Sequence, residues 1–598
     1  MFWIDEIHDY SETFAPVFLQ LKRNFAETGT VSLWRWDIFS GVPLFGDPVT
    51  MLLYPLNLLA LFIDPLWLFP LLIVASFFIG AMGAGKVLYS LGISRYRAIF
   101  FGIMYMLMPL SIAHVKVGHI NLYEAFSLCP WIFYFLIRWV KTKNLRYILG
   151  ASIAHMYVLF THPTMFFIVS IFLFLVYLIF KPRIQLRIVF FYILSVVFLG
   201  AAFLLPTIEF STLITRTNLQ SADIVPVWTA KSFAGGLFFP YPKIDSLDQE
   251  AILYPGILLS VFAAVGWWSL KKYRISLLGI LLLALLLSMG NATPLYEFIL
   301  RVMPYENILR VSTRFWYIGI WILLVCAAIG SQKIKKRSFS IVLMTMMFIE
   351  LLTFASLRLG LPGRYGKIEP LHFYDTIENS HDTYRIYATT RDLRQGIIAQ
   401  KRATLADGEY PLQLKSYISE LASAGGYDYQ EYSVMHPPYQ VFDSIPQPNA
   451  EKLGMLNVQY VVSSYPLNDS SLTHIGSEKD LLIYKNTAFK PLVWSDNAAI
   501  TSLQSIVRGN YSKSTYSSDR AGVVKVGIPW YPGWEYTLDN RIIDVDRFNS
   551  YIEFDTPVGN HVLEATFENS MYLRGLKVTT MMLLVLAVLL VYMRKRAL

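Results

Sequence analysis

The sequence predicts a multi-pass α-helical membrane protein that carries one large extracytoplasmic domain, mixed α/β and then β-sandwich, and ends in a further transmembrane helix. Three observations predict this. Of 598 residues, 55% are hydrophobic and only 16% charged, with a mean hydropathy of +0.45, against about 25% charged residues in soluble domains. Apolar runs recur through the first 355 residues and once more at the end. Basic residues fall in short clusters between those runs, in every second loop.

A spanning helix needs about 20 apolar residues, and the runs that reach or approach this length predict about eleven crossings. They lie at 66–87, 98–113, 120–140, 147–160, 165–180, 188–205, 257–270, 275–289, 315–329, 341–355 and 578–592. If the loop after residue 87 is cytoplasmic, the cytoplasmic loops hold Arg95 and Arg97; Lys141, Lys143 and Arg146; Lys181, Arg183 and Arg187. The later ones hold Lys271, Lys272 and Arg274; Lys333, Lys335, Lys336 and Arg337; and Arg594, Lys595 and Arg596. Positive charge marks cytoplasmic loops, so 1–65 and 357–574 are expected outside. Residues 66–356 form the helical domain, about ten helices, and 575–598 the last helix with a basic cytoplasmic tail. An outside amino terminus must either cross unaided or follow a further helix upstream, and the second is expected.

The same clustering explains the net charge of +9 without nucleic acid, because no Lys/Arg tract could track phosphates. Cys129 and Cys326 lie inside apolar runs, which points away from a disulfide framework or a Cys-based metal site.

From about residue 360 the composition becomes that of a soluble domain. Strands are predicted at 384–387, 458–462 and 481–484, and hairpins from strands at 522–528, 534–538, 551–554 and 561–567. Tyr531-Pro532-Gly533, Asp539-Asn540 and Pro557-Val558-Gly559-Asn560 supply the turns. Asp544-Val545-Asp546 has the form of a metal-holding DxD, but two exposed acids on a strand give the same three letters. Asn291, Asn468 and Asn510 begin glycosylation sequons.

Polar groups at the outer membrane face are the candidates for chemistry. Asp5, Asp9 and Glu12 share a face if their segment is helical, and clustered like charges suit proton transfer; a solvated acidic turn is the alternative. Trp34, Trp36 and Asp37 precede a Gly/Pro-rich loop and suit either sugar stacking or interfacial anchoring. His119 and Glu124 enter the third crossing, His162 sits in the turn between the fourth and fifth, and Glu306, Arg310 and Arg314 precede the ninth. Ionisable groups near helix ends in a membrane are costly and therefore suspects, although a single histidine is also explained by one structural hydrogen bond. Arg310 and Arg314, one helical turn apart, could grip a phosphate or snorkel to headgroups. Glu350, inside the tenth crossing, has no partner that sequence can name.

Taken in order, these motifs resemble a known family. They are Asp9-Tyr10-Ser11-Glu12-Thr13, Leu33-Trp34-Arg35-Trp36 with Gly41-Val42-Pro43-Leu44, Tyr54-Pro55-Leu56-Asn57, Gly118-His119 and Thr161-His162-Pro163. Leu205-Pro206-Thr207-Ile208-Glu209, Tyr254-Pro255-Gly256 and Arg310-Val311-Ser312-Thr313-Arg314 follow. Val458-Gln459-Tyr460-Val461-Val462, Leu482-Ile483-Tyr484-Lys485-Asn486 and Tyr531-Pro532-Gly533-Trp534 come from the outer domain. The set is similar to the YfhO family of prokaryotic membrane proteins, related to the GT-C glycosyltransferases, over nearly the whole chain. The resemblance implies a GT-C-like fold and an enzyme taking sugar from a polyprenyl-phosphate donor on the outer face. It implies a catalytic Asp in the first outer loop, matched by Asp9 with Asp5 as rival. This sequence departs from the family in lacking the helix that normally precedes that loop, and in opening its His-Pro turn with Thr161 where Gly is usual.

Independently, the cytoplasmic loops are too short to build a nucleotide-binding domain, so an outward-facing enzyme would need a donor already carried across on lipid. The expected partners are a polyprenyl-phosphate-linked sugar, a glycan or polymer acceptor and the bilayer, with no nucleic acid. No cofactor is required, since arginines can carry the phosphate charge; a divalent cation, Mg²⁺ or Mn²⁺, is compatible. A lipid-linked glycan flippase or transporter would need a polar path that helices apolar in their middles do not offer. A noncatalytic glycan-binding envelope protein is the third reading.

Overall fold

The computed structural model describes residues 9–180, 186–216, 224–225, 228–238, 250–302, 309–355, 371–373, 383–390, 393–431, 435–436 and 445–595. All of the apolar runs are helical. The helices are Pro65–Ser90, Arg95–Met106 with Pro109–Val117, Ile120–Thr142, Leu145–Thr161, Pro163–Phe180, and Leu186–Leu199 with Ala201–Ser211. Ile257–Ser269, Arg274–Ser288, Trp316–Ser331, Arg337–Phe354 and Ser570–Lys595 complete the set. Among the described residues five helices are long and apolar enough to cross a membrane, or seven if each bent pair is one span, and four more are shorter apolar helices. A 13-residue helix such as Ile257–Ser269 is about 20 Å long, short of the ~30 Å hydrocarbon core.

Two breaks matter. Pro109, at the first position of its helix, has no N–H to continue the one before, and the axis bends by 41°. At Gly200 a second pair bends by 68°. Elsewhere small residues let helices close up, as membrane interfaces prefer. A Cβ on Gly266 would lie 1.8 Å from the Cys326 carbonyl oxygen, and one on Gly330 would lie 2.1 Å from that of Phe262. The last helix packs on Ala201–Ser211, where a Cβ on Gly575 would meet the Ala201 carbonyl oxygen at 2.3 Å.

Glu350 does have partners. It reaches from its own helix to the start of Ile257–Ser269, where Tyr254 Oη donates to Oε1 at 2.6 Å and the Leu258 N–H to Oε2 at 3.0 Å. A carboxylate there satisfies amides that a helix start leaves unpaired and complements the positive end of its dipole. His155 is also engaged, with Tyr192 Oη at 2.8 Å and Ser170 Oγ at 3.2 Å.

The domain between the tenth apolar run and the last helix has two parts. Arg385–Ala388, Val458–Ser463, Leu481–Asn486 and Leu472–Glu478 form a sheet in that order, its first pair parallel and the others antiparallel. Beyond it two antiparallel sheets form the β-sandwich. One runs Ile500–Arg508, Tyr511–Ser518, Gly559–Phe567, Trp534–Leu538, Arg541–Ile543, and the other Asp546–Phe548, Tyr551–Thr556, Gly522–Val526, Val493–Trp494. The strands were legible, but their pairing differs from consecutive hairpins. Gly522–Val526 pairs with Tyr551–Thr556, and Trp534–Leu538 with Gly559–Phe567, so the chain alternates between sheets. Local alternation of apolar residues marks a strand without naming its neighbour. A two-residue turn does form at Asp539-Asn540, both with positive φ (52° and 65°), as the tight hairpin turn needs. The DxD acids are exposed, Asp544 on the link between the sheets and Asp546 at the start of the strand Asp546–Phe548.

The first segment is built into the outer domain rather than lying as an interfacial loop. Trp34 is fully buried against Tyr531, Trp534 and Phe567, with ring centroids 4.9–5.8 Å apart. Gly41, at φ 123°, lets the chain turn under that indole; a Cβ there would meet Trp34 Nε1 at 2.5 Å. Backbone bonds from Leu405 to Asp37 (2.9 Å) and from Phe39 to Asp407 (3.2 Å) stitch the two together.

Candidate active site

The site is assembled at helix ends. After the Pro109 break, the Pro109–Val117 helix stops at Gly118, whose left-handed φ of 95° a Cβ would strain. The His119 N–H returns to the His114 carbonyl at 2.9 Å, the six-to-one closure of a glycine-terminated helix. That closure lays one imidazole over the other, with centroids 5.1 Å apart and planes 24° apart, and Nδ1 to Nδ1 at 2.8 Å. His119 Nε2 meets Asp9 Oδ2 in a close contact.

His162 is placed by Pro163. A residue before proline is pushed out of the helical region, and His162 is extended (φ −156°, ψ 99°), ending one helix as Pro163 begins the next. Its Nε2 faces Arg314 Nη1 at 3.3 Å. Arginine cannot accept, so this imidazole nitrogen accepts and the ring is neutral; burial first, then Arg314, holds its pKa well below the ordinary histidine value.

Arg314 lies in the 3₁₀ turn Ser312–Phe315 and pairs with Glu250, Nη2 to Oε1, at 3.0 Å. Glu250 Oε2 takes a bond from Thr313 Oγ1 at 3.3 Å and lies 3.6 Å from His114 Nε2. Burial alone would raise the Glu250 pKa, but Arg314, His114 and His119 together outweigh it and lower it from 4.5 to about 2. The result is one connected polar cluster, Asp9–His119–His114–Glu250–Arg314–His162, open at Asp9, whose side chain is 39% exposed. His114, His119 and Glu250 each offer an atom that could bind a metal, all within 4.8 Å of one another.

The structure thus brings together Asp9, His119, His162 and Arg314 among the residues singled out from sequence. It places others elsewhere. Glu12 does not share a face with Asp9, because Tyr10–Phe14 is a π-helical turn, whose wider spacing shifts every later side chain. Its carboxylate accepts from the Gly396 N–H at 3.1 Å and lies 3.7 Å from Arg394. Trp36 is buried and donates its indole N–H to the Gly509 carbonyl at 2.9 Å, and Asp37 is clamped by Arg35 at 2.6 and 2.7 Å. Glu12 and Trp36 hold the first segment to the domain of sheets through their side chains, and Asp37 through its backbone carbonyl. Glu124 is fully buried, with Asn57 Nδ2 donating at 3.1 Å. Arg310 is not one helical turn from Arg314, because Val311 between them is extended and bridged to Val225. Asp5 and Glu306 lie outside the described residues.

Sequence reasoning missed His114 and Glu250. The signal for His114 was its spacing, five residues before His119 across a glycine. Glu250 had none beyond being an acid between two apolar runs.

No curated protein matches the chain. It is similar to two cryo-EM structures of a mutant arabinofuranosyltransferase AftD from Mycobacteria, each at a TM-score of 0.49, with 12% and 11% identity. The similarity covers 94% and 95% of this chain but 59% and 58% of theirs, so the chain spans less than two thirds of that protein's length. Residues 53–359, just over half of the sequence, match the model described as a 6-pyruvoyl-tetrahydropterin synthase related domain of membrane proteins, and the chain therefore belongs to that family, the YfhO-type group that its motifs resemble.

Proposed function

We propose that this chain is a membrane glycosyltransferase. It moves a sugar from a polyprenyl-phosphate carrier to a glycan, polymer or glycoconjugate acceptor at the extracytoplasmic face, inverting the anomeric carbon. The observation that carries this reading is the polar cluster, in which a part-exposed carboxylate and a held guanidinium share one network among apolar helices. In this reading Asp9 takes the proton of the acceptor hydroxyl while the acceptor oxygen bonds to the sugar and the sugar–phosphate bond breaks. Arg314, with donors beyond those engaged by Glu250 and His162, stabilises the charge growing on the phosphate. His119 and His162 position Asp9 and Arg314.

A lipid-carried donor suits a centre placed outside, where nucleotide sugars are absent. The transporter reading needs His155 and Glu350 to line a path, and both are engaged in structural bonds instead. The test is Asp9→Asn in isolated membranes. Removing a general base costs about 10²–10⁴-fold in rate, so sugar transfer should fall by that factor with the protein still folded. Full activity in the variant refutes the assignment.

A further inference from the structure

We propose that His114, His119 and Glu250 bind one divalent transition-metal cation of the zinc class. This deepens the transfer reading by assigning a metal to the same site.

The observation is a gap in a row of polar atoms. Asp9, His119, His114 and Glu250 stand in line with three gaps between them. A buried imidazole nitrogen that makes no hydrogen bond is open to a cation. The first two gaps are closed, Asp9 to His119 by a close contact and His119 to His114 at 2.8 Å. The third, His114 Nε2 to Glu250 Oε2, is 3.6 Å, beyond hydrogen-bond range. His114 is fully buried, and among the described residues its Nε2 has no hydrogen-bond partner. A buried, unpartnered imidazole nitrogen therefore faces a carboxylate oxygen across a gap that a bound cation would fill.

The dimensions suit a metal. Two ligands bound tetrahedrally at about 2.1 Å stand about 3.4 Å apart, close to the observed gap. His114 and Glu250 face the ion directly, and His119, whose ligand atom lies within 4.8 Å of theirs, joins them by exchanging one of its two ring-nitrogen contacts for the metal. Two imidazoles with one carboxylate form a set known for zinc with an open fourth position, and imidazole favours zinc-like ions over Mg²⁺, which prefers an all-oxygen octahedron. Arg314 bonds Oε1 of Glu250 and Thr313 Oγ1 donates to Oε2, which also faces His114; outer contacts of this kind orient a ligand. The open position would take a water or an acceptor hydroxyl and loosen its proton, next to Asp9.

The experiment uses the full chain in detergent, stripped with chelator and titrated with Co²⁺ followed by its visible absorption, then with Zn²⁺ in competition. The wild type should bind one equivalent with a tetrahedral Co²⁺ spectrum. Loss of an outer-shell contact alone weakens metal sites about 10–100-fold, so His114→Asn and Glu250→Gln should each weaken binding by about 100-fold or more, and His155→Asn should not. X-ray absorption on the wild type should show two imidazole ligands, which keeps the test valid if a variant fails to fold. No bound equivalent at micromolar Co²⁺, unweakened binding in a folded His114→Asn or Glu250→Gln, or a shell without imidazole overturns the proposal. Binding is read without sugar, so a metal site without transfer would sink the function and spare this inference, and transfer without a metal site would do the reverse.

Discussion

The Arg314–Glu250 pair gives the sharpest energetic prediction. Both are largely buried, at 15% and 6% side-chain exposure, and 3.0 Å apart. The Glu250 carboxyl is lowered from 4.5 to about 2, and at 1.36 kcal/mol per unit that is roughly 3 kcal/mol favouring the ionised folded form. The contribution is fully present above about pH 4.5 and is lost as pH falls through the folded value near 2. Arg314→Gln removes the main opposing charge and leaves a buried carboxylate with burial working against it, a loss of about 3–5 kcal/mol. Glu250→Gln leaves an arginine that can reach water more readily and should cost less. The double variant has no stranded charge, so it should melt above Arg314→Gln, not below it. The assay is thermal melting of all four proteins in one detergent at pH 7, followed by tryptophan fluorescence. Single losses that simply add in the double variant would refute the buried-pair argument.

Other expectations concern the outer domain. Burial raises the Asp407 carboxyl from 3.8 to about 8, and its Oδ1 has no hydrogen-bond partner among the described residues. A raised acid pKa means the folded form holds a proton that the unfolded one releases, so stability should fall as pH rises from about 4 to 8. Asp407→Asn should flatten that slope and raise the melting temperature at pH 8; a lower one contradicts the reading. Trp34→Ala should cost about 3–5 kcal/mol, as for other large aromatic truncations in cores, and speed proteolysis of the outer domain and first segment together. Unchanged proteolysis would mean the segment is not part of that core.

The helices were legible because lipid demands long apolar runs, and that signal is local. The strands at 458–462 and 534–538 were legible for the same reason. Partnership was not. Trp34 reads alike whether it anchors at a membrane surface or fills a core completed about five hundred residues later by Tyr531, Trp534 and Phe567. His119, His162 and Arg314 stood out as polar groups at the ends of apolar runs, and Asp9 as one of a cluster of acids in the first segment. Glu250 meets His114 across 136 residues, and no periodicity encodes that meeting. The π-helical turn at Tyr10–Phe14 also escaped, since nothing in Tyr-Ser-Glu-Thr-Phe announces the wider turn that separates Glu12 from Asp9.

The central claim is that sugar arrives on a lipid phosphate at the cluster joining Asp9 to Arg314. The direct measurement supplies the purified wild-type chain in liposomes with either a radiolabelled polyprenyl-phosphate sugar or the matching nucleotide sugar, and follows label into envelope glycan. Label should pass from the lipid-linked donor and not from the nucleotide. Transfer from the nucleotide sugar, or none from any lipid-linked sugar, contradicts the account.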